Sequence, residues 1–229
     1  MDFSSLKCFI VGAAPFAPEK FKEAVRLFGP IIYEGFGQTE TLFPLVIKSP
    51  SDYLNNDGSL GDEAVRAAGK AVPGARIGIM DDDGNLLPAG ERGEIVVRSS
   101  MTMQGYYKRP KETPEVSQFG WHHTSDIGII DVRGFLTIVD RKKDMILSGG
   151  FNIYPVEIEK VIQGHPSVLD SIVVGVPDEK WGEAVKAVVQ LKPGQIVCEE
   201  DLIARCKAQL GSAKAPKSLE FWPEHLTAF

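Results

Sequence analysis

A run of charged residues at positions 140–144 divides the chain into two stretches with different patterns. The residues before it form short apolar runs separated by turn residues, which predict a series of β-strands. The residues after it alternate between helical and strand patterns. Because charged segments are easily solvated, the run indicates an exposed boundary between two compact units, residues 1–141 and 142–229. A solvated linker and a functional hinge both fit this composition.

The overall composition limits the class of protein. With 229 residues, the chain is long enough for two units with separate cores. The net charge of −6 argues against a general nucleic-acid binder, which needs a basic face. No apolar run approaches the roughly 20 residues that span a membrane, and no signal peptide is recognisable. The three cysteines lack zinc-site spacing and are typical of a reducing, cytoplasmic setting.

The first residues predict a strand–helix–strand unit of α/β character. Residues 6–11 are mostly apolar and suit a buried strand, and residues 31–34 suit another. Between them, Pro18 to Phe28 reads as a helix, because proline favours its first position and Gly29 can end it. The small residues 12–15 either mark a tight turn or let a flat ligand approach the backbone.

Residues 35–41 follow the second predicted strand and offer several groups that could bind a nucleotide. Ligands of open α/β sheets bind in loops beyond the strand ends. Gly37 allows close backbone approach, Phe36 has a flat face for a base, and Thr39 could donate to a phosphate oxygen. Glu40 could bind Mg²⁺, which prefers carboxylate and phosphate oxygens. A glycine-rich turn with polar side chains is the alternative interpretation.

The next segments predict a surface loop followed by strands. Residues 49–62 are polar and rich in turn residues, which predicts a surface loop. Strands are predicted at residues 75–80 and 94–98. The acidic cluster at residues 81–85 is interpreted as a turn, because it lacks the remaining ligands of a calcium loop.

Residues 120–128 include two adjacent histidines and an aspartate. His122 and His123 make a poor metal pair, because neighbours on a strand point to opposite faces. The Asp126 carboxylate could accept hydrogen bonds from both hydroxyls of a ribose. It could equally be a turn aspartate that accepts from its own backbone. A further strand is predicted at residues 134–139.

The second stretch predicts a small α+β domain. Trp181 is expected in its core, or stacked on a base if it is exposed. The pattern predicts helices at residues 155–162 and 199–210 and strands at residues 171–174, 187–191 and 219–222.

These segments, in this order, resemble the adenylate-forming (AMP-binding) superfamily, which includes acyl-CoA synthetases, adenylation domains and firefly luciferase. The segments around Gly149-Gly150 and Trp181 are most similar to acyl- or aryl-CoA ligases. The resemblance lies in Gly12-Ala13-Ala14-Pro15, residues 33–41, Pro73-Gly74, residues 93–95, residues 103–107, residues 120–126, residues 140–144 and residues 148–159.

The resemblance implies a fold and a reaction. The chain would hold the end of a large α/β adenylation domain with a β-meander, then a small mobile α+β C-terminal domain. A carboxylic acid would attack ATP, with Mg²⁺ offsetting phosphate charge, to form an acyl-adenylate and pyrophosphate. The thiol of coenzyme A would then displace AMP.

The resemblance also implies a role for individual residues. Thr39 would contact phosphate, Glu40 would hold Mg²⁺, and Lys143 would be the pivot of the small domain. The nucleotide and coenzyme A would be bound by Gly12, Ala13, Ala14, Phe36 and Gly37 around the adenine, Asp126 and Arg141 at the ribose, Gly149 and Gly150 along the pantetheine, and Trp181 near the nucleotide of coenzyme A.

Several departures from the family pattern matter. Ser125 stands where the family usually has glycine, and Phe36 where it often has tyrosine. The family's phosphate loop and its adenylation-lysine motif are not found, so we expect a C-terminal portion of a ligase with little adenylation activity alone. A non-catalytic nucleotide- or CoA-binding module, one half of a split enzyme with a complementary chain, and self-association through sheet edges remain alternatives. Aliphatic and aryl acids both remain open as substrates.

Overall fold

The computed structural model describes residues 3–13 and 16–222. The chain divides into two compact units, unit 1 (Met1–Ile138) and unit 2 (Val139–Phe229). The dividing point falls between residues 138 and 139, inside a strand, and not after residue 141. No helix in the described ranges has the length and apolar character needed to cross a bilayer. The α/β and α+β character predicted from sequence is confirmed.

The first sheet of unit 1 contains a parallel pair joined through a helix. Its strands lie in the order β1-β2-β3-β4, with β1 and β2 parallel and the other pairs antiparallel. The elements are β1 (Phe9–Gly12), α1 (Pro18–Phe28), β2 (Ile32–Gln38), β3 (Leu42–Lys48) and β4 (Lys70–Ala71). Helix α1 has the predicted bounds, because Pro18 starts it and Gly29, at φ +83°, ends it.

The predicted surface loop at residues 49–62 is instead partly helical and partly buried. It contains α2 (Pro50–Tyr53) and leads into α3 (Asp62–Arg66). Tyr53 is buried, its hydroxyl accepts a hydrogen bond from Ile32 N at 3.3 Å, and its ring packs edge-on against Phe21. The loop prediction was wrong here because the polar residues around Tyr53 masked a short helix with a buried aromatic anchor.

The second sheet of unit 1 is an antiparallel meander. Its order is β5-β6-β8-β7, with β9 also paired to β8. The turn predicted at residues 81–85 is confirmed, because Asp81 Oδ1 accepts from the backbone N–H groups of Asp83 and Asn85. The elements are β5 (Ala75–Met80), β6 (Arg92–Ser99), α4 (Glu112–Glu115), β7 (Ser117–Gln118), β8 (Trp121–Ile130) and β9 (Leu136–Arg141).

Unit 2 is one mixed sheet with two helices on a shared core. The sheet has the order β11-β10-β13-β12, and β14 pairs in parallel with β13. Ile158 and Ile162 of one helix and Leu202 of the other are fully buried in the core of this sheet. The elements are a 3-10 turn (Lys142–Asp144), β10 (Ile146–Ser148), β11 (Phe151–Ile153), α5 (Pro155–Gln163), β12 (Val168–Asp178), β13 (Gly182–Leu191), α6 (Glu199–Leu210) and β14 (Ser218–Phe221).

Candidate functional site

Residues 35–41 form most of a β-hairpin and not a loop beyond a strand. Strand β2 continues to Gln38, a tight turn follows at residues 39–41, and Leu42 begins β3 opposite Gln38. The loop prediction was wrong because cross-strand pairing overrides the weak strand preference of glycine. Thr39 and Glu40 therefore lie at the tip of the hairpin.

The hairpin tip is fixed by the loop that follows β6. Tyr106 Oη donates to Glu40 Oε1 at 2.8 Å, and Met103 N donates to the Glu40 carbonyl oxygen at 2.7 Å. Thr41 is fully buried, and its hydroxyl has no hydrogen-bond partner among the described residues. The tip therefore combines one oriented carboxylate with one unpaired hydroxyl.

The glycines of this region make room for a phenylalanine ring. Gly12 and Gly35 lie opposite each other on the parallel strands β1 and β2. A Cβ on Gly12 would come within 2.7 Å of the Phe43 ring, and one on Gly35 within 2.5 Å. A Cβ on Gly37 would meet the Leu42 carbonyl oxygen at 2.7 Å. On this side, the space that the missing side chains leave is filled by the chain itself.

The residues implied to flank the adenine are only partly described. Ala13 has a positive φ of 69°, so the chain turns sharply after Gly12. Ala14 and Pro15 lie outside the described residues. Phe36 is half-buried and packs against the core of unit 1, so part of its surface is already covered.

Asp126 lies on a strand and not in a turn. It belongs to β8, directly after a bulge at Ser125, whose φ is +61°. The Asp126 N–H donates to Thr124 Oγ1 at 3.1 Å, and the Ser125 N–H donates to the buried Glu94 carboxylate at 3.1 Å. The glycine usual at this position of the motif is consistent with the left-handed backbone that the bulge needs.

A contact between residues 33–41 and residues 120–126 was missed at the sequence level. The Gln38 amide nitrogen lies 2.7 Å from His122 Nε2, within hydrogen-bond distance. Burial lowers the pKa of His122, and the negative charge of Glu40 opposes that shift. The contact joins residues far apart in sequence, so no local pattern could have indicated it.

The composition of residues 140–144 had predicted that the whole run is exposed. The structure shows that one of these residues is buried. Asp140 is buried on β9, where its carboxylate accepts from Arg141 N at 2.8 Å and Val156 N at 3.1 Å. Burial raises the pKa of Asp140, and these hydrogen bonds oppose the shift. Arg141 and Lys143 are exposed, with Lys143 on the 3-10 turn.

Trp181 lies beside the glycine pair on the surface of unit 2. It is in the turn between β12 and β13 and is 39% exposed, which corrects the expectation of a core residue. Gly149 N donates to the Trp181 carbonyl oxygen at 2.8 Å, and a Cβ on Gly149 would come within 2.7 Å of the indole. The ammonium groups of Lys180 and Lys217 lie 4.7 Å and 5.6 Å from the ring centroid. A Cβ on Gly150, by contrast, would meet no atom within 4 Å.

Comparison with known families gives two matches in chain order. Residues 1–107 match the model of the AMP-binding enzyme, and residues 157–227 match that of the AMP-binding enzyme C-terminal domain. The chain belongs to the AMP-binding enzyme family.

Relatives of this AMP-binding enzyme chain include CoA ligases. It is 43% identical over 224 residues to a long-chain-fatty-acid–CoA ligase of Escherichia coli O6:H1, a match that covers 98% of this chain and 38% of the ligase. The chain therefore spans well under half the length of this relative.

Solved structures of the family share the fold. The amide bond synthetase McbA from Marinactinospora thermotolerans matches with a TM-score of 0.86 and 36% identity over 96% of this chain and 44% of its own. The o-succinylbenzoate CoA synthetase from Bacillus subtilis, solved with its acyl-adenylate intermediate, matches with a TM-score of 0.83 and 33% identity over 96% and 43%.

The residues of this chain fit a magnesium ion only together with phosphate. No group of three or more His, Cys, Asp or Glu residues suited to a metal exists in the described ranges. Mg²⁺ is commonly held by one or two carboxylates plus substrate phosphates. The Glu40 carboxylate, oriented by Tyr106 at the hairpin tip, suits that mode. Trp181 with its two lysines suits an anionic ligand that carries an aromatic base.

Proposed function

We propose that this chain is a portion of an ATP-dependent acid–thiol ligase, which activates a carboxylic acid with ATP and transfers the acyl group to coenzyme A. The observation that carries the proposal is the hairpin tip, where Glu40 is held by Tyr106 in a chain that matches both family models in order. Because the chain spans 38% of its long-chain-fatty-acid–CoA ligase relative, the activity is proposed for the whole protein.

The nucleotide is assigned to residues of the first unit. Thr39 contacts phosphate and Glu40 holds Mg²⁺, while Asp126 binds the ribose. The adenine is assigned to Gly12, Ala13, Ala14, Phe36 and Gly37. The solved complexes of o-succinylbenzoate CoA synthetase with AMP and with ATP and magnesium ion support these ligands.

Coenzyme A is assigned to unit 2. The adenine of coenzyme A stacks on Trp181. The phosphates of coenzyme A are attracted by the ammonium groups of Lys180 and Lys217. Gly149 and Gly150 border the pantetheine, and Lys143, on the 3-10 turn, is the pivot.

The substrate of the proposed ligase is a carboxylic acid, and no narrower class of acid is proposed. One relative is named for long-chain fatty acids and another for 2-succinylbenzoate. The two relatives have similar identity, 43% and 40%, so aliphatic and aryl acids both stay open, and fatty-acid metabolism is the role that the first relative supports.

Calorimetric titration of the purified chain with AMP, ATP·Mg²⁺ and coenzyme A tests this proposal. Trp181→Ala is expected to weaken coenzyme A binding about tenfold, since loss of one stacked base costs roughly 1–3 kcal/mol. Trp222→Ala is the matched control, because Trp222 is 43% exposed on the same unit. Asp126→Asn is expected to weaken AMP binding.

A chain that binds neither nucleotide nor coenzyme A contradicts the proposal. Binding without chemistry is the result expected of this polypeptide, and by itself it also fits the non-catalytic module. Release of pyrophosphate from ATP and a carboxylic acid by the chain alone would overturn the expectation of little adenylation, and it would exclude the module.

A further inference from the structure

The Glu40 side chain is held by a single hydroxyl group from a distant part of the chain. Tyr106 Oη donates to Glu40 Oε1 at 2.8 Å, across 66 positions of sequence. Hydrogen bonds to a charged carboxylate are short and strong, and this one restricts a side chain that otherwise has many rotamers.

The backbone on both sides of this contact is fixed independently of it. Met103 N donates to the Glu40 carbonyl oxygen at 2.7 Å, which anchors the hairpin tip. Tyr106 N donates to Thr113 Oγ1 at 3.0 Å, and Arg109 N donates to the Tyr106 carbonyl oxygen at 3.2 Å. Removing the Tyr106 hydroxyl therefore removes one hydrogen bond and leaves both segments held.

We propose that Tyr106 is a positioning residue that orients the Glu40 carboxylate for Mg²⁺ and thereby sets the Mg²⁺ requirement of nucleotide binding. This inference rests on the proposed function of the hairpin tip. With Oε1 occupied by the phenol, the carboxylate presents Oε2 in one orientation. Mg²⁺ demands near-octahedral geometry at about 2.0–2.1 Å, so it gains from a ligand that is oriented before it binds.

The test separates Mg²⁺ dependence from nucleotide affinity. AMP binding is measured without metal, and ATP binding is measured as a function of Mg²⁺ concentration. Tyr106→Phe is expected to raise the half-saturating Mg²⁺ concentration about tenfold, at the lower end of the effect of losing a hydrogen bond to a metal ligand. Its AMP affinity should stay unchanged. Tyr107→Phe is the matched control, because Tyr107 is 85% exposed.

Three outcomes would overturn the inference, and they are distinguishable. Equal Mg²⁺ dependence of Tyr106→Phe and Tyr107→Phe overturns it while the nucleotide site stands. A parallel loss of AMP and ATP affinity in Tyr106→Phe assigns the residue a merely structural role. A wild-type chain that binds no nucleotide overturns the proposed function, and the inference with it.

Discussion

The backbone at Ser125 imposes a preference that can be measured. Its φ of +61° is in the left-handed region, which costs an L-residue roughly 1–2 kcal/mol and a β-branched residue more. Ser125 is exposed, so packing adds little. We expect Ser125→Val to lower the free energy of unfolding by about 1–2 kcal/mol, and Ser125→Gly to leave it unchanged or higher. Urea denaturation of both variants checks this.

Ser117→Val is the matched control, because Ser117 is exposed on β7 and has no positive φ. A valine there should be neutral or slightly stabilising, since it suits a strand. Equal losses at both positions would contradict the argument from the left-handed backbone.

The partly buried carboxyl group of Glu159 makes the stability of unit 2 depend on pH. Burial raises its pKa to about 6, neighbouring aspartates add to the shift, and a hydrogen bond from Val173 N opposes it. The folded pKa is thus above the ordinary value of 4.5, so the stabilisation from the protonated form is complete below that value. It is lost as the pH rises through about 6.

Glu159→Gln should therefore be more stable than the wild type at neutral pH and lose that advantage in acid. The amide can still accept from Val173 N, and we expect a gain of about 1 kcal/mol above pH ~7, after allowing for partial exposure. This gain should fall as the pH drops through about 6 and vanish below 4.5. Denaturation curves across this range measure it. Glu179→Gln, at an exposed turn position, is the matched control variant.

At the scale of elements, one buried lysine joins two strands to two helices. Lys48 Nζ lies 2.7 Å from Glu34 Oε2 on the neighbouring strand. It also donates to the carbonyl oxygens of Val65 and Ala67 at the end of α3 and lies 4.3 Å from the Phe21 ring on α1. Burial lowers the pKa of Lys48 and raises that of Glu34, and each charge opposes the shift of the other.

Lys48→Met is expected to destabilise unit 1 by about 3 kcal/mol, because it leaves a buried carboxylate without its partner. The double variant Lys48→Met/Glu34→Gln should recover part of that loss. Thermal and urea unfolding in a double-mutant cycle give the coupling. Lys70→Met is the control, since that exposed lysine lies 4.0 Å from Asp52 and should contribute under about 1 kcal/mol. A double variant no better than the single one would refute this explanation.

Elements whose limits are local could be predicted, and elements set by distant partners could not. Helices α1 and α6 have the predicted bounds, because a proline or acidic residues start them and glycines end them. Residues 35–41 were interpreted as a loop after a strand at residues 31–34, because the strand character of residues 35–38 depends on pairing with β3.

In the candidate site, too, residues marked by their type could be predicted, and residues brought near by the tertiary fold could not. Thr39 and Glu40 could be singled out by residue type, but Tyr106 reaches Glu40, and His122 reaches Gln38, only through the tertiary fold. Trp181 was expected in the core because its side chain is large and apolar. That prediction failed because a tight turn keeps the side chain at the surface, which the residue type does not reveal.

At the scale of the whole molecule, each unit has its own core among the described residues. Ile158 is fully buried in the core of unit 2. We expect Ile158→Ala to destabilise that unit by about 2–5 kcal/mol, through lost burial and a residual cavity. Hydrogen exchange should show reduced protection in β12 and β13. Ile196→Ala is the control, because Ile196 is 94% exposed, and equal effects of the two would contradict the packing argument.

The Phe43 ring packs against Gly12 and Gly35, and this packing predicts which substitutions positions 12, 35 and 43 can accept. An alanine at position 35 would collide only with side-chain atoms of Phe43 and, less closely, of Pro44, so it becomes acceptable once residue 43 is small. An alanine at position 12 would also come within 2.9 Å of the Gly35 carbonyl oxygen, which no change at position 43 removes. Among descendants of this gene, positions 35 and 43 should therefore vary together, while position 12 stays glycine throughout.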